Sequence, residues 1–307
     1  MNSGGEPLSA ASFPVPPMGL RLKFNLVLIG VFAIGLAACA ALSYRLLHDN
    51  ARAEVERNAR LMMEAALAIR AYTVSQIKPH LDPMLAERFL PQTVPAYAAT
   101  ETLNELRKNH PEYAYKEATL NPSNPRDRAS DWEADLVQGF RNADEVKELT
   151  GERDTPTGRQ MYIARPIRIT NPACLACHDT AATAPPTLVK VYGESNGFGW
   201  KMNEIIGAQV VSVPMTLPVS NADRAFNTFM ASLVGVFVFV MAVLNIMLEW
   251  LIIRPVARMS AAADRISTGD FSVPEFGDRG RDEVSVLGAS FNRMRRSLET
   301  AMRMIDS

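Results

Sequence analysis

Cysteine is scarce in this 307-residue chain. There are three, too few for a disulfide-stapled scaffold, and the odd count leaves one over. Neither sign of charge prevails. The 32 Lys and Arg residues stand against 33 Asp and Glu, which gives no basis for a nucleic-acid partner, whose phosphates demand a basic surface. The length is ample for a buried core and allows one large domain or two to three smaller ones. Hydrophobic residues make up 48%, and they are unevenly spread.

No charged residue lies between Lys23 and Arg45, and none from Ala225 to Leu248. Both runs are long enough for the roughly 20 apolar residues that a helix needs to cross a bilayer core. A buried soluble helix of that length would usually show a polar face. Arg21 and Lys23 precede the first run; Arg254, Arg258 and Arg265 follow the second. The positive-inside bias predicts a two-pass membrane protein, with both termini cytoplasmic and the intervening segment outside. Residues 45–224 carry 21 basic and 23 acidic side chains. The expected plan is a cytoplasmic tail over 1–24, spans over 25–46 and 225–252, an external domain over 47–224, and a cytoplasmic segment over 253–307. A cleaved secretory signal, or a lipobox at Leu36-Ala37-Ala38-Cys39, are rival readings of the first run. Its continuation to Leu42 favours a retained helix with Cys39 inert inside it.

The other two cysteines fall together in Cys174-Leu175-Ala176-Cys177-His178. The spacing C-x-x-C-H is the c-type haem attachment signal. Two thiols add to the two vinyl groups of one haem, and the adjacent histidine supplies an axial nitrogen to the iron. The expectation is one covalent haem c per chain, with His178 as the proximal ligand. A redox dithiol lacks the surrounding βαβ pattern. A zinc site lacks a second ligand pair, since only His48, His80, His110 and His178 remain. A disulfide between residues three apart is strained. Candidates for the second axial position are His80, His110, Met62, Met63, Met161 and Met202, with His80 ranked first because it follows Pro79 at a helix end. An open sixth position, ready for a diatomic gas, is the alternative. Trp200, in Asn196-Gly197-Phe198-Gly199-Trp200, is a candidate pocket edge, and Arg165 and Arg168 are candidate partners of haem propionates.

Around the motif the patterning predicts an α+β module. A long helix should run from the first span to about Ile77 and stop at Pro79, with Leu61, Ala65, Ala68 or Ile69, and Tyr72 on its apolar side. Asp82-Pro83, Thr102-x-x-Glu105 and Ser130-x-x-Glu133 read as helix starts. Tyr113–Leu120, Gln160–Ile169 and Ile205–Met215 read as strands.

Beyond the second span, Ile252, Val256, Met259, Ala263 and Ile266 form one heptad stripe. Val284, Leu287, Phe291, Met294, Leu298, Ala301 and Ile305 form another. A single helix would leave such a stripe wet, so the segment predicts a parallel coiled-coil homodimer; an amphipathic hairpin within one chain is the alternative. Together with Arg254-Pro255, the connector and Asp282-Glu283, residues 252–305 resemble a HAMP linker, the signal-relaying module of bacterial receptors. Residues 50–220 resemble the periplasmic c-type haem sensor domain of bacterial membrane signalling proteins. The resemblance is carried by Asn121-Pro122-Ser123-Asn124-Pro125, Trp132-Glu133, Ala164-Arg165-Pro166-Ile167 before the haem motif, and Ile206-Gly207-Ala208-Gln209-Val210-Val211-Ser212-Val213-Pro214. It implies a PAS-like fold with one covalent haem and a redox or gas-sensing role. In one cyanobacterial branch the distal ligand is a cysteine on an N-terminal helix. This chain has none between Cys39 and Cys174, so that ligation does not carry over.

These observations lead to the expectation of a non-enzymatic transmembrane sensor. It would relay the haem's redox or gas-ligand state through HAMP to a separate cytoplasmic protein, unless the sequence, which ends two residues past Ile305, is a fragment. The rival is a membrane-anchored mono-haem electron-transfer cytochrome. A haem enzyme lacks support, because no acid–base constellation stands beside the motif.

Overall fold

The computed structural model describes residues 19–277, 280 and 282–305. Most of the expected tail 1–24, and the side chain of Ile305, lie outside the described residues. In chain order the elements are α1 (Leu20–Tyr72), α2 (Lys78–Leu81), α3 (Pro95–Arg107), β1 (Ala114–Thr119), α4 (Asp131–Asn142), β2 (Leu149–Thr155) and β3 (Gly158–Arg168). They continue with α5 (Leu175–His178), α6 (Pro186–Tyr192), β4 (Ile205–Pro214), α7 (Thr216–Leu248), α8 (Arg254–Ser267) and α9 (Glu283–Ile305). The chain divides into two units: residues 43–227, and residues 1–42 with 228–307.

The first unit is an α+β domain around a four-stranded antiparallel sheet in the order β1-β4-β3-β2. β4 lies centrally, and every residue from Ile205 to Val213 is buried, because helices cover both faces. Period-two alternation splits its neighbours between two cores. Met161, Ile163, Val211 and Val213 pack on Val55, Ala59, Met62, Met63 and Ala66 of α1 and on Leu103 of α3. Ala164, Ala208 and Val210 face Val137 and Phe140 of α4. The three expected strands are present within a residue or two. β2 was not expected: its sequence Leu-Thr-Gly-Glu-Arg-Asp-Thr lacks apolar alternation, because it is an edge strand held to β3 through a turn at Pro156-Thr157.

Helix boundaries show further differences. α1 does not stop before Pro79. A π turn over Thr73–Ile77 carries it into α2, with the Lys78 N–H donating to the Thr73 carbonyl. Pro79 has no N–H for the carbonyl four residues back and crowds it, so the ladder widens there instead of ending. The same device recurs where Glu249–Ile253 precedes Pro255. The buried stripe of α1 is Val55, Ala59, Met62 and Ala66, whereas Leu61 and Tyr72 are exposed. Apolar residues occur on both sides of the helix here, and small Ala with pliant Met fit closest to the sheet. Thr102 lies inside α3 rather than at its start, its hydroxyl donating to the Ala98 carbonyl. Asp82–Ala86 is a 3-10 turn. At α4 the capping pattern forms, with Glu133 accepting from the Ser130 N–H at 2.8 Å.

In the second unit, α1 and α7 supply two helices long and apolar enough to cross a membrane, their apolar windows almost wholly exposed. Phe32 stacks on Phe237 at 4.5 Å, and Asn25 and Asn245 exchange two amide hydrogen bonds of 3.0 and 2.9 Å. α8 and α9 close a small core of Ala262, Ile266 and Val273 with Phe271, Phe276 and Phe291. The buried Asn292 amide clamps the connector, accepting from the Phe276 N–H and donating to its carbonyl at 3.1 and 2.7 Å. Val256, Leu287, Met294 and Leu298 remain exposed.

Candidate functional site

β3 ends at Arg168, and the chain turns sharply: Asn171 accepts the Ala173 N–H through its side chain at 2.9 Å, opening a 3-10 turn over Pro172–Cys174. α5 follows as a single helical turn. Residues three apart share a helix face, and Cys174 and Cys177, both free thiols, line the same cavity. Burial pushes the Cys177 thiol up, opposed by Lys78.

His178 is fixed on two sides. Its Nδ1 lies 2.7 Å from the Gly197 carbonyl oxygen. A carbonyl oxygen can only accept, so Nδ1 carries a proton, and in the neutral ring Nε2 keeps its lone pair. The ring stacks on Trp200 at 3.8 Å and 13°, and the Trp200 N–H donates to the His178 carbonyl at 3.2 Å. Burial lowers the imidazole below its ordinary range, with the Gly197 bond working the other way. That shift favours the neutral ring, the form a metal ligand takes.

The cavity beside these groups has a volume of about 290 Å³ and mixed walls. Phe89, Leu188, Ile169 and Ile206 are apolar; Arg70, Lys78, Arg168 and Glu117 are charged. Each cation has an acidic partner: Lys78 binds Asp82 at 2.7 Å, Arg70 binds Glu117, and Arg168 binds Asp144. Glu117 also accepts from the Tyr115 hydroxyl at 2.8 Å. Burial opposes the charge of Arg70, but Glu117 outweighs it and raises the guanidinium above its ordinary value. Burial and then Glu117 push the Tyr115 phenol up.

Of the residues singled out from sequence, Cys174, Cys177, His178, Trp200 and Arg168 meet at this cavity. The structure does not bring Arg165 there. Its guanidinium is taken by Glu148 at 2.9 Å and Glu64 at 2.7 Å, although it shares a strand face with Ile167, which lines the cavity. His80 is not among the lining residues either; it is exposed on α2. His110 is exposed beside Tyr113, Met62, Met63 and Met161 are buried in the core beneath the sheet, and Met202 is exposed. Sequence reading missed Arg70, Val74 and Lys78. Their spacing of four along α1 and its π turn was the available signal. It also gave Asn121 and Ser123 no individual role. Among the described residues no cluster of three or more His, Cys, Asp or Glu is arranged to hold a metal ion, so the two thiols lack the partners a zinc site needs. The donor set instead suits haem: two thiols on one helix face, a neutral imidazole with Nε2 free, and a partly apolar cavity.

Comparison with known proteins adds four findings. Residues 247–300 match the HAMP domain. Among curated proteins, the heme sensor protein HssS of Staphylococcus aureus strains JH9 and Newman is 35% identical over 88 residues, 29% of this chain. The match spans about a fifth of that relative, 19% of its length. Among solved structures, the cyanobacterial heme-protein Tll0287 aligns over 52% of this chain and 95% of its own, with 15% identity and a TM-score of 0.42. Residues 48–214, more than half of the chain, match the family described as Tll0287-like, and the chain belongs to that family.

Proposed function

We propose that this chain is a membrane-embedded haem sensor. Cys174 and Cys177 would attach one haem covalently, and His178 would ligate its iron through Nε2. The observation that carries this reading is the C-x-x-C-H turn with His178 Nδ1 on the Gly197 carbonyl, the second hydrogen bond that metal-ligating histidines make. The HssS relative, named as a heme sensor, supports it. When bound, the haem would supply a redox-active iron able to take a sixth ligand. Apart from Cys174, Cys177 and His178, the described cavity-lining residues include no His, Met or Cys, which favours ligand or redox sensing over an electron-transfer cytochrome with both axial positions filled.

The residues that hold His178 lead directly toward the membrane. Trp200 lies five residues before β4, and β4 runs through Met215 into α7. Movement of the Gly197–Trp200 turn would pass along the central strand into the second span and then into α8 and α9. The flanking arginines and lysine favour a periplasmic haem domain with both termini in the cytoplasm of an inner-membrane protein. The exposed Val256, Leu287, Met294 and Leu298 favour a HAMP homodimer that addresses a separate cytoplasmic partner.

The test is to produce the full chain in a bacterium competent for c-type cytochrome maturation and to record oxidised, reduced and carbon-monoxide spectra. A c-type spectrum that changes on carbon-monoxide addition is expected. No haem absorbance overturns the reading; haem unaffected by carbon monoxide overturns the gas-ligand part.

A further inference from the structure

We infer that Asn121 is a positioning residue that sets the electron-donating strength of His178 through the backbone of Gly197. The inference rests on the haem reading for its redox consequence, though not for its geometry. The Asn121 side chain grips the turn that faces the histidine. Its Oδ1 accepts the Gly197 N–H at 3.2 Å, and its Nδ2 donates to the Phe198 carbonyl at 3.2 Å. Between those two gripped groups stands the Gly197 carbonyl, which takes the His178 Nδ1–H at 2.7 Å.

The turn has no freedom of its own to spare. Gly197 sits at φ +84°, and a Cβ there would lie 1.9 Å from Ser123 Oγ. Ser123 is two residues from Asn121, so one short loop both grips the turn and presses on its α-carbon. That Ser123 hydroxyl is buried with no hydrogen-bond partner, a cost accepted for close contact. Trp200, on the same turn, stacks on the His178 ring. Loop 121–123 thereby determines both the carbonyl that polarises the imidazole and the ring that stacks on it.

The chemical consequence has a sign. A firm Nδ1–H···O bond gives the imidazole more anionic character, strengthens its donation to a metal and favours the oxidised ion. Loosening the Asn121 grip lets the Gly197 carbonyl swing away, weakens that donation and raises the midpoint potential. Asn121→Ala removes both bonds. Asn121→Asp keeps an acceptor for the Gly197 N–H but sets a charged oxygen against the Phe198 carbonyl in place of the donor.

The experiment uses the full chain in two forms. In the Cys174→Ser/Cys177→Ser form, ¹⁵N-histidine spectra of the four histidines report the His178 tautomer without haem. In the haem-loaded form, redox titration and the ferrous iron–histidine stretch report its donation. With Asn121 intact, His178 is expected as the Nδ1–H tautomer. Asn121→Ala is expected to mix the tautomers, lower the stretching frequency and shift the potential upward, with Asn121→Asp intermediate. If Asn121→Ala folds with unchanged tautomer, stretch and potential, the proposal is overturned; if it fails to fold, the same readouts on Asn121→Asp decide. Should the full chain take up no haem while the tautomer still responds, the haem reading fails and the positioning role of Asn121 stands.

Discussion

His178 owes its orientation to backbone as much as to side chains, and that makes Gly197 the most sensitive small residue in the domain. Gly197→Ala would force a left-handed residue to carry a Cβ into Ser123. The strain, about 1–3 kcal/mol, would be relieved by moving the turn, so reduced thermal stability together with reduced haem loading is the expected outcome. Unchanged loading, measured by absorbance per protein, would contradict the account. In the HAMP segment, Asp270 offers a pH-linked counterpart. Its carboxylate accepts from the Ser272 hydroxyl and N–H and from Arg265, which holds its pKa down to about 2. Because the folded value lies below the ordinary carboxylate range, its contribution to stability is complete above about pH 4. It is lost as the pH falls toward 2. Carboxyl-carbon NMR should show Asp270 titrating near 2, and a value close to 3.8 would contradict the described contacts. At this scale the grouping of Cys174, Cys177 and His178 was legible because spacing alone sets them on one turn. Arg165 was misplaced because Glu64 and Glu148, both distant in sequence, take its guanidinium, and Lys78 was overlooked because a π turn sets the face it occupies. Neither leaves a local mark that a single sequence displays clearly.

At the scale of elements, the domain depends on α1 lying against the sheet. Met63 is fully buried between α1 and the strands, and Met63→Ala should destabilise the domain by about 2–5 kcal/mol. Leu61→Ala, on the exposed side of the same helix, should cost well under 1 kcal/mol. Chemical denaturation of the pair checks the stripe directly; equal effects would restore the register that sequence periodicity suggested. That misreading has a physical origin. Where a helix carries apolar residues almost all round, periodicity alone does not reveal the face that a sheet will cover. β3 was legible from the alternation of Met161, Ile163, Arg165 and Ile167, and β4 because β-branched residues crowd it. β2 was not, because an edge strand needs only backbone partners.

For the molecule as a whole, the two apolar helices and the helical segment that follows them make the chain a signal-transduction protein of the membrane, with its sheet domain between the spans. The reciprocal Asn25–Asn245 pair joins the two spans. A double-mutant cycle with leucine at both positions should give a coupling of about 0.6–1.7 kcal/mol, and zero coupling would mean that the pair does not form. The exposed stripe of α9 predicts that single cysteines at Met294 or Leu298 will cross-link between copies in membranes, with the yield depending on haem state if the external domain is coupled to it. The central claim is the covalent attachment of haem through Cys174 and Cys177. Intact mass measurement of the denatured full chain, purified from a cytochrome-maturing host, tests it most directly. The account predicts a chain heavier by one haem and the loss of that increment in Cys174→Ser/Cys177→Ser; a denatured wild-type chain at its unmodified mass would contradict it.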